Sequence, residues 1–159
     1  NASKIEVTRL DMFADGGEYE VILYHIGNFF GADTKIQFNG LTNGYSQIGS
    51  TFKGSYQGID GDLTEITPVY RPNKTWIYYG LTSSINSKYP ATLIGKFFMQ
   101  SDKTLAYSFK NECASPLQQV YTSVSGVQEN EVTNLTSLKL TKDNGEFCAG
   151  TRLIIKKVL

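Results

Sequence analysis

Turn and strand signals alternate along the whole 159-residue chain at close spacing. No long segment carries apolar side chains at i, i+3, i+4 and i+7, the stripe that an amphipathic helix requires. Short runs rich in Val, Ile, Tyr, Phe and Thr are separated by turn sequences such as Asn39-Gly40 and Asp143-Asn144-Gly145, whose Asn and Gly residues tolerate positive φ. The pattern predicts a chain that is almost entirely β.

The strand runs between these turns are numerous and follow no repeat period. Many short strands without a repeat favour an antiparallel two-sheet β-sandwich of jelly-roll type over a propeller or a solenoid. Only residues 112–119 suggest a short helix, and Pro116 argues against it. The predicted strands cover residues 4–10, 19–26, 34–38, 44–48, 65–70, 75–79, 91–100, 104–110, 118–126, 134–141 and 151–159.

The predicted strands differ in how many apolar faces they have. Residues 138–141, Leu-Lys-Leu-Thr, place apolar side chains on one side only, as expected for a strand with one face in water. Residues 21–24 and 153–155 are apolar on both faces, so we expect them at the centre of a sheet or against a partner subunit. The Gly-rich residues 49–61 break the strand rhythm, and a functional loop and a plain connector are equally compatible with them.

Length and charge limit the classes of function. The 15 Lys and Arg residues balance the 15 Asp and Glu residues, without a long run of either sign. Such a chain lacks the positive footprint of a general nucleic-acid binder, and no apolar run approaches the roughly 20 residues that span a bilayer. We therefore expect one domain over residues 1–159, no nucleic-acid partner and no membrane insertion.

Residues suited to acid–base or metal chemistry form no recognisable motif. His25, the only histidine, lies in an apolar run, which favours a structural imidazole, while a dyad with Cys113 or Cys148 stays open. The acidic residues 60, 62 and 65 lack the other ligands of a calcium loop and favour a solvated turn. We predict no catalytic residue, no metal site and no cofactor, and we do not expect an enzyme.

The two cysteines, Cys113 and Cys148, match neither a zinc motif nor a C-x-x-C redox pair. They could form one disulfide if their strands were neighbours. Two half-buried thiols are the favoured interpretation, because free cysteine is among the most often buried residue types.

Aromatic residues carry the better functional signal, since the chain has ten Tyr, nine Phe and one Trp. Tyrosine combines an apolar ring with a polar tip, which suits partly exposed binding surfaces. Trp76 and Tyr78 would share one strand face and could form a platform for a sugar ring, although packing between the sheets is favoured. Tyr45 and Tyr56 lie in Gly-rich surroundings and are expected to be exposed. The candidate receptor-binding residues are therefore Tyr45, Tyr56, Trp76 and Tyr78, with Asn43 and Asn73 as neighbouring polar contacts.

Two segments carry a resemblance to a known group of proteins. Residues 145–151 read Gly-Glu-Phe-Cys-Ala-Gly-Thr and precede a closing strand, and residues 36–40 read Ile-Gln-Phe-Asn-Gly before Tyr45-Ser46. These segments are similar to the β-sandwich modules at the ends of tailed-bacteriophage tail fibres and other virion proteins. Members of that group often end in Leu-Tyr-Gly, whereas this chain ends in Ile-Lys-Lys-Val-Leu.

The resemblance implies a jelly-roll-like head, assembled as a homotrimer and located in the virion, which is the C-terminal part of a longer fibre or virion protein. It carries over no binding residue, because the receptor loops of such modules follow no motif. The first hypothesis is a non-enzymatic receptor-binding or structural domain that contacts a bacterial surface glycan or an outer-membrane protein. The alternatives are a carbohydrate-binding module or carbohydrate-active enzyme on a jelly roll, and a purely architectural virion sandwich.

Overall fold

The computed structural model describes residues 2–13, 17–25, 33–55, 63–65, 69–81, 91–114, 118–142 and 145–158. All regular structure among these residues is β-strand, which confirms the predicted all-β class. None of the described residues forms a helix long and apolar enough to cross a membrane. The strands are β1 (Lys4–Phe13), β2 (Glu18–His25), β3 (Asp33–Phe38), β4 (Tyr45–Ser55), β5 (Leu63–Glu65), β6 (Val69–Lys74), β7 (Ile77–Leu81), β8 (Ala91–Met99), β9 (Leu105–Ala114), β10 (Gln118–Gln128), β11 (Asn134–Lys142) and β12 (Arg152–Val158).

The strands form two antiparallel sheets. The small sheet has the order β1-β11-β3-β7, and the large sheet has the order β12-β2-β8-β9-β10-β4. The far side of β4 pairs with β6 near its start and with β5 near its end. Two antiparallel sheets confirm the predicted β-sandwich, while the jelly-roll type stays a prediction.

A single buried cluster joins the inner faces of the sheets. Phe38 of the small sheet packs against Phe97 of the large sheet with ring centroids 5.1 Å apart, and against Tyr107 at 6.3 Å. On the large sheet Gly95 lies opposite Phe109, where an added Cβ would come within 2.0 Å of the ring. The absence of a side chain at Gly95 therefore leaves the room that the Phe109 ring occupies.

The largest error in the predicted strands concerns residues 49–61. Residues 49–55 continue β4 and pair with β10 in an unbroken ladder that runs from Tyr45 to Ser55, so the loop predicted there is wrong for this part. Glycine disfavours a strand only slightly, and eleven consecutive pairs with one partner outweigh that preference. The remainder of that predicted loop, residues 56–61, lies outside the described residues.

Two further predictions are corrected or completed by the pairing. Residues 71–73, which lie between the strands predicted at 65–70 and 75–79, belong to β6, and the bend follows at Thr75 and Trp76. Residues 112–114 and 118–119 of the possible helix are strand residues in β9 and β10. The predicted Asn39-Gly40 turn is confirmed, since both residues adopt positive φ, 50° and 68°.

Candidate functional site

An open cleft lies where β6 leads into β7. It has a volume of about 450 Å³ and is lined by Arg71, Asn73, Lys74, Thr75 and Trp76. Three of these residues belong to β6, and the other two form the bend before β7. The lining combines an indole ring, two cationic side chains, an amide and a hydroxyl, so it offers both an apolar surface and hydrogen-bond donors.

A β-bulge shapes this cleft. The register of β6 against β4 shifts between Tyr45 and Gln47, so Pro72 and Asn73 together lie opposite the single residue Ser46. Proline has no N–H for the ladder, and Asn73 adopts φ 46°, a left-handed conformation that Asn tolerates better than most residues. The Asn73 N–H donates to Ser46 Oγ at 3.1 Å. The bulge thus turns this end of β6 away from a regular ladder and places Asn73 in the cleft wall.

Neighbouring strands hold the bend in place. The Gln37 side-chain amide donates to the Thr75 carbonyl oxygen at 2.9 Å, and the Gln47 side-chain amide donates to the Trp76 carbonyl oxygen at 3.2 Å. Gln37 is on the small sheet and Gln47 on the large sheet, so the bend is tied to both. A binding surface whose backbone is held in this way loses little conformational entropy when a ligand binds.

Trp76 is half-buried and lies outside the core cluster. The Lys35 ammonium is 3.7 Å from the centroid of its ring, a distance typical of a cation–π contact. The next residue, Ile77, is fully buried, whereas Trp76 in the bend before β7 is only half-buried. The packing between the sheets that the sequence favoured for Trp76 is therefore wrong, and its ring contributes to the cleft.

The exposure expected for Tyr45 is also wrong. Its side chain is 0% exposed and belongs to the core cluster. The Tyr45 hydroxyl accepts from the Phe38 N–H at 2.8 Å and lies 3.4 Å from the Leu41 carbonyl oxygen, to which it donates. Burial raises the pKa of this hydroxyl, which keeps it neutral and able to donate. Because the turn around Gly40 closes over the ring, a Gly-rich context does not produce exposure here, and Tyr45 supports the turn beside the cleft.

The other candidate residues are resolved to different degrees. Tyr56 lies outside the described residues. The backbone of Tyr78 pairs with Lys35 in the register of β7 and β3, while its side chain lies outside the described part of the chain. Asn43 is exposed, and its carbonyl oxygen accepts from Gln128 at 2.8 Å. Asn73 accepts from the Gly44 N–H at 2.9 Å, so its side-chain oxygen stabilises the turn.

The described residues that line the cleft include two cationic side chains and no carboxylate. Arg71 and Lys74 line the cleft, and Lys35 lies over the indole ring. Glu129 is linked to the cleft wall through Ser46, whose hydroxyl donates to its carboxylate at 2.5 Å. That hydroxyl also accepts from the Asn73 N–H, so this carboxylate supports the bulge. A cleft of this composition suits a ligand with an apolar ring face and a negative group.

Sequence reasoning identified Trp76 and Asn73 but missed Arg71, Lys74, Thr75 and Lys35. The signal for Arg71 and Lys74 was present, because both are in the run that leads to Trp76. No such signal existed for Lys35, which reaches the ring only through the pairing of β3 with β7.

Among the described residues that line the cleft, none is a carboxylate, an imidazole or a thiol, the usual acid–base groups. Within the described part of the chain, no three His, Cys, Asp or Glu side chains are grouped closely enough to hold a metal ion. Cys148 is a free thiol and half-buried, in agreement with the favoured interpretation for this residue.

Comparison of the chain with protein-family models, with curated proteins and with solved structures found no match.

Proposed function

We propose that this chain is a non-enzymatic receptor-binding domain of a phage tail or virion, and that it contacts a bacterial surface glycan through the cleft at the start of β7. The observation that carries the proposal is the half-buried Trp76 ring in an open cleft beside Arg71 and Lys74. Sugars offer apolar C–H faces to aromatic rings, and the cationic side chains favour a glycan that bears carboxylate or phosphate groups.

The anchoring of the cleft supports recognition. The bend at Thr75 and Trp76 is hydrogen-bonded to Gln37 and Gln47, and the bulge at Asn73 is hydrogen-bonded to Ser46. A site on backbone that is held by two sheets is more preorganised than a site on a free loop.

The virion setting rests on the sequence resemblance at residues 145–151. In that setting each cleft binds weakly, and several copies joined in one particle bind with a higher apparent affinity because the linked sites raise the effective concentration. The homotrimer that the resemblance implies is not part of this proposal. If the receptor is an outer-membrane protein, an acidic loop of that protein would present the same kind of negative group to the cleft.

Glycan binding by the purified chain tests the proposal. An array of acidic and neutral bacterial glycans, followed by calorimetric titration, should show binding that weakens as salt concentration rises. Trp76→Ala should weaken it by about tenfold or more, a loss of about 1.4 kcal/mol. Tyr70→Ala is the matched control, because Tyr70 is an aromatic residue 65% exposed and outside the cleft lining.

Other results point to the alternatives. Equal binding by the Trp76→Ala and wild-type chains would remove the cleft from the site. Turnover of a bound glycan would favour a carbohydrate-active enzyme, and tight binding by an isolated monomer without host adsorption would favour a carbohydrate-binding module. The absence of any glycan or cell-surface binding would leave the purely architectural role.

A further inference from the structure

The exposed large apolar side chains of the described residues share one surface. All of them lie on the outer face of the large sheet. Some follow a buried, inward-facing residue on the same strand, and side chains alternate along a strand; the others pair with a residue that is already placed on the outer face. The small sheet has no member of this set. The set comprises Tyr24, Ile48, Tyr70, Ile94, Phe98, Ile154 and Val158.

Five of these side chains lie on three adjacent strands, β12, β2 and β8. In the register of these strands Ile154, Ile22 and Ile94 are side by side and form an apolar row across the sheet. Ile94 is 47% exposed in this row. We call this surface, with the flanking residues of β9, the isoleucine face. Ile154 is therefore an outer-face residue.

Charged side chains of both signs border the apolar row. Lys156, Glu20 and Lys96 form the adjacent row across the same strands. Within the chain, Lys96 pairs with Glu18 at 2.9 Å and Lys156 lies 3.9 Å from Glu20. A strongly acidic or basic partner would find a like charge on this surface, whereas a partner with the same alternation of charges would match it.

We propose that the isoleucine face packs against the same face of a second copy of this chain. A two-fold axis that runs parallel to the strands, between β2 and β8, would place β2 opposite β8 of the second copy. Ile22 would then face Ile94 of the second copy, and Glu20 would face Lys96 of the second copy. Every contact occurs twice, as the symmetry of such an interface requires.

On the outer strands this axis pairs opposite charges in the row of Arg152, and it places Ile154 opposite Lys110 of the second copy. Arg152, Tyr24, Thr92 and Glu112 form one row across the four strands. The axis places β12 opposite β9 of the second copy, so Arg152 faces Glu112 of the second copy. A two-fold axis along the isoleucine row would instead bring Arg152 opposite Lys156 of the second copy, two like charges. The charge pattern therefore selects the axis parallel to the strands.

The size of the face sets the expected strength. Four strands at roughly 4.8 Å spacing and seven residues at roughly 3.4 Å give about 450 Å² of flat area per copy. The pair would bury about 1,000 Å², which is at the lower end of specific interfaces. We therefore expect a reversible dimer with a dissociation constant in the micromolar range, formed independently of the cleft at Trp76.

Sedimentation of the full chain over a range of concentrations tests the proposal. The wild type should shift from monomer to dimer as concentration rises. Glu20→Lys alone and Lys96→Glu alone should each weaken the dimer at least tenfold, because each places like charges opposite one another twice. An equimolar mixture of the two variants should restore the dimer, because in the mixed pair both contacts again join opposite charges. Contacts within one chain cannot restore the dimer in the mixture, because each variant chain keeps its own substitution.

Controls keep the outcomes distinct. Ile48→Lys changes an apolar residue on the same sheet but outside the isoleucine face, and it should leave the dimer unchanged. Circular dichroism and thermal unfolding check that each variant folds, and Ile94→Lys, at an exposed position, is a second disrupting variant. A wild type that stays monomeric or sediments as a trimer, or a mixture that stays monomeric, would overturn the proposal. Glycan binding by the monomeric variants should be retained, so failure here is separable from failure of the receptor-binding function.

Discussion

The two ends of the sandwich core differ in whether their buried polar groups have hydrogen-bond partners. At one end Phe38, Tyr45, Phe97 and Tyr107 form a cluster of rings. Both tyrosine hydroxyls in it are satisfied, since Tyr107 donates to the Ser46 carbonyl oxygen at 3.3 Å and Tyr45 bonds the turn after β3. Burial raises the pKa of both hydroxyls. We call this the aromatic end.

The other end is reached four residues further along the strands. Asn111 follows Tyr107 on β9, and Lys142 follows Leu138 on β11, a distance of roughly 13 Å. Asn111 is 0% exposed and Lys142 is 3% exposed. Neither polar atom of the Asn111 side chain, nor the Lys142 ammonium, has a hydrogen-bond partner within the described part of the chain. We call this the polar end.

The comparison shows that the buried polar groups with hydrogen-bond partners lie at the same end of the core as the cleft. The aromatic end lies beside the cleft, and its satisfied hydroxyls hold the backbone turns from which the cleft is built. The polar end destabilises the folded state, because a buried donor or acceptor without a partner costs about 1–3 kcal/mol. Five substitutions test this contrast.

The largest effect is expected for Tyr45→Ala. The change removes a fully buried ring and both hydrogen bonds to the turn, and substitutions of this kind cost about 3–5 kcal/mol. Urea unfolding followed by tryptophan fluorescence measures the loss. A change below 1 kcal/mol would contradict the core position of Tyr45.

Lys142→Met should act in the opposite direction. Burial lowers the pKa of Lys142 to about 8, since the ammonium is removed from water and finds no hydrogen-bond partner among the described residues; the Phe147 ring centroid lies 5.7 Å away. At pH 7 an apolar side chain of similar length should therefore stabilise the protein by about 2 kcal/mol. Urea unfolding at pH 7 measures the gain, and a loss of stability would show that the ammonium has a stabilising partner.

The same residue predicts a dependence on pH. Between pH 8 and 10.5 the unfolded chain holds a proton on Lys142 that the folded chain has lost, so stability should rise with pH through this window. Below about pH 8 the penalty of the buried charge is fully present. From pH 7 to pH 10.5 the stability advantage of Lys142→Met over the wild type should fall by roughly 3 kcal/mol, because the folded and unfolded pKa values of Lys142 differ by about 2.5 units. A difference that does not vary with pH would contradict the lowered pKa.

Asn111→Leu should stabilise the protein by about 1 kcal/mol, because it replaces two polar atoms without partners by an apolar group of similar volume. Gln128→Leu is the matched control near the aromatic end. Gln128 is equally buried, but its amide donates to the Asn43 carbonyl oxygen, so the same type of change should destabilise by about 1–2 kcal/mol. Thermal unfolding of both variants measures the two shifts in stability. Shifts of the same sign would contradict the difference between the two ends.

The smallest effect is expected for Tyr45→Phe, which keeps the ring and removes only the hydroxyl. The buried Phe38 N–H then loses its acceptor, at a cost of about 1 kcal/mol. Urea unfolding should place this variant between the wild type and Tyr45→Ala, and hydrogen exchange at the Phe38 amide should accelerate. Unchanged exchange would show that another group satisfies this N–H.

Alternation of side chains allowed much of the fold to be predicted. Residues 138–141 have one apolar face, and Leu138 and Leu140 indeed point into the core. Residues 21–24 have two apolar faces, so their pattern did not reveal that Val21 is buried while Ile22 belongs to the isoleucine face. The site was less predictable, because Lys35 and Trp76 are far apart in sequence and meet only through the pairing of β3 with β7.

The sequence by itself determined that the chain forms strands, since that signal is local: side-chain period, branched and aromatic residues, and turns such as Asn39-Gly40. Only the tertiary structure decided which aromatic residues are exposed. Tyr45 and Trp76 have similar Gly-rich or polar neighbours in sequence, yet one lies under a turn and the other lines a cleft. Burial depends on which sheet covers a residue, and that is set by contacts between residues distant in the chain.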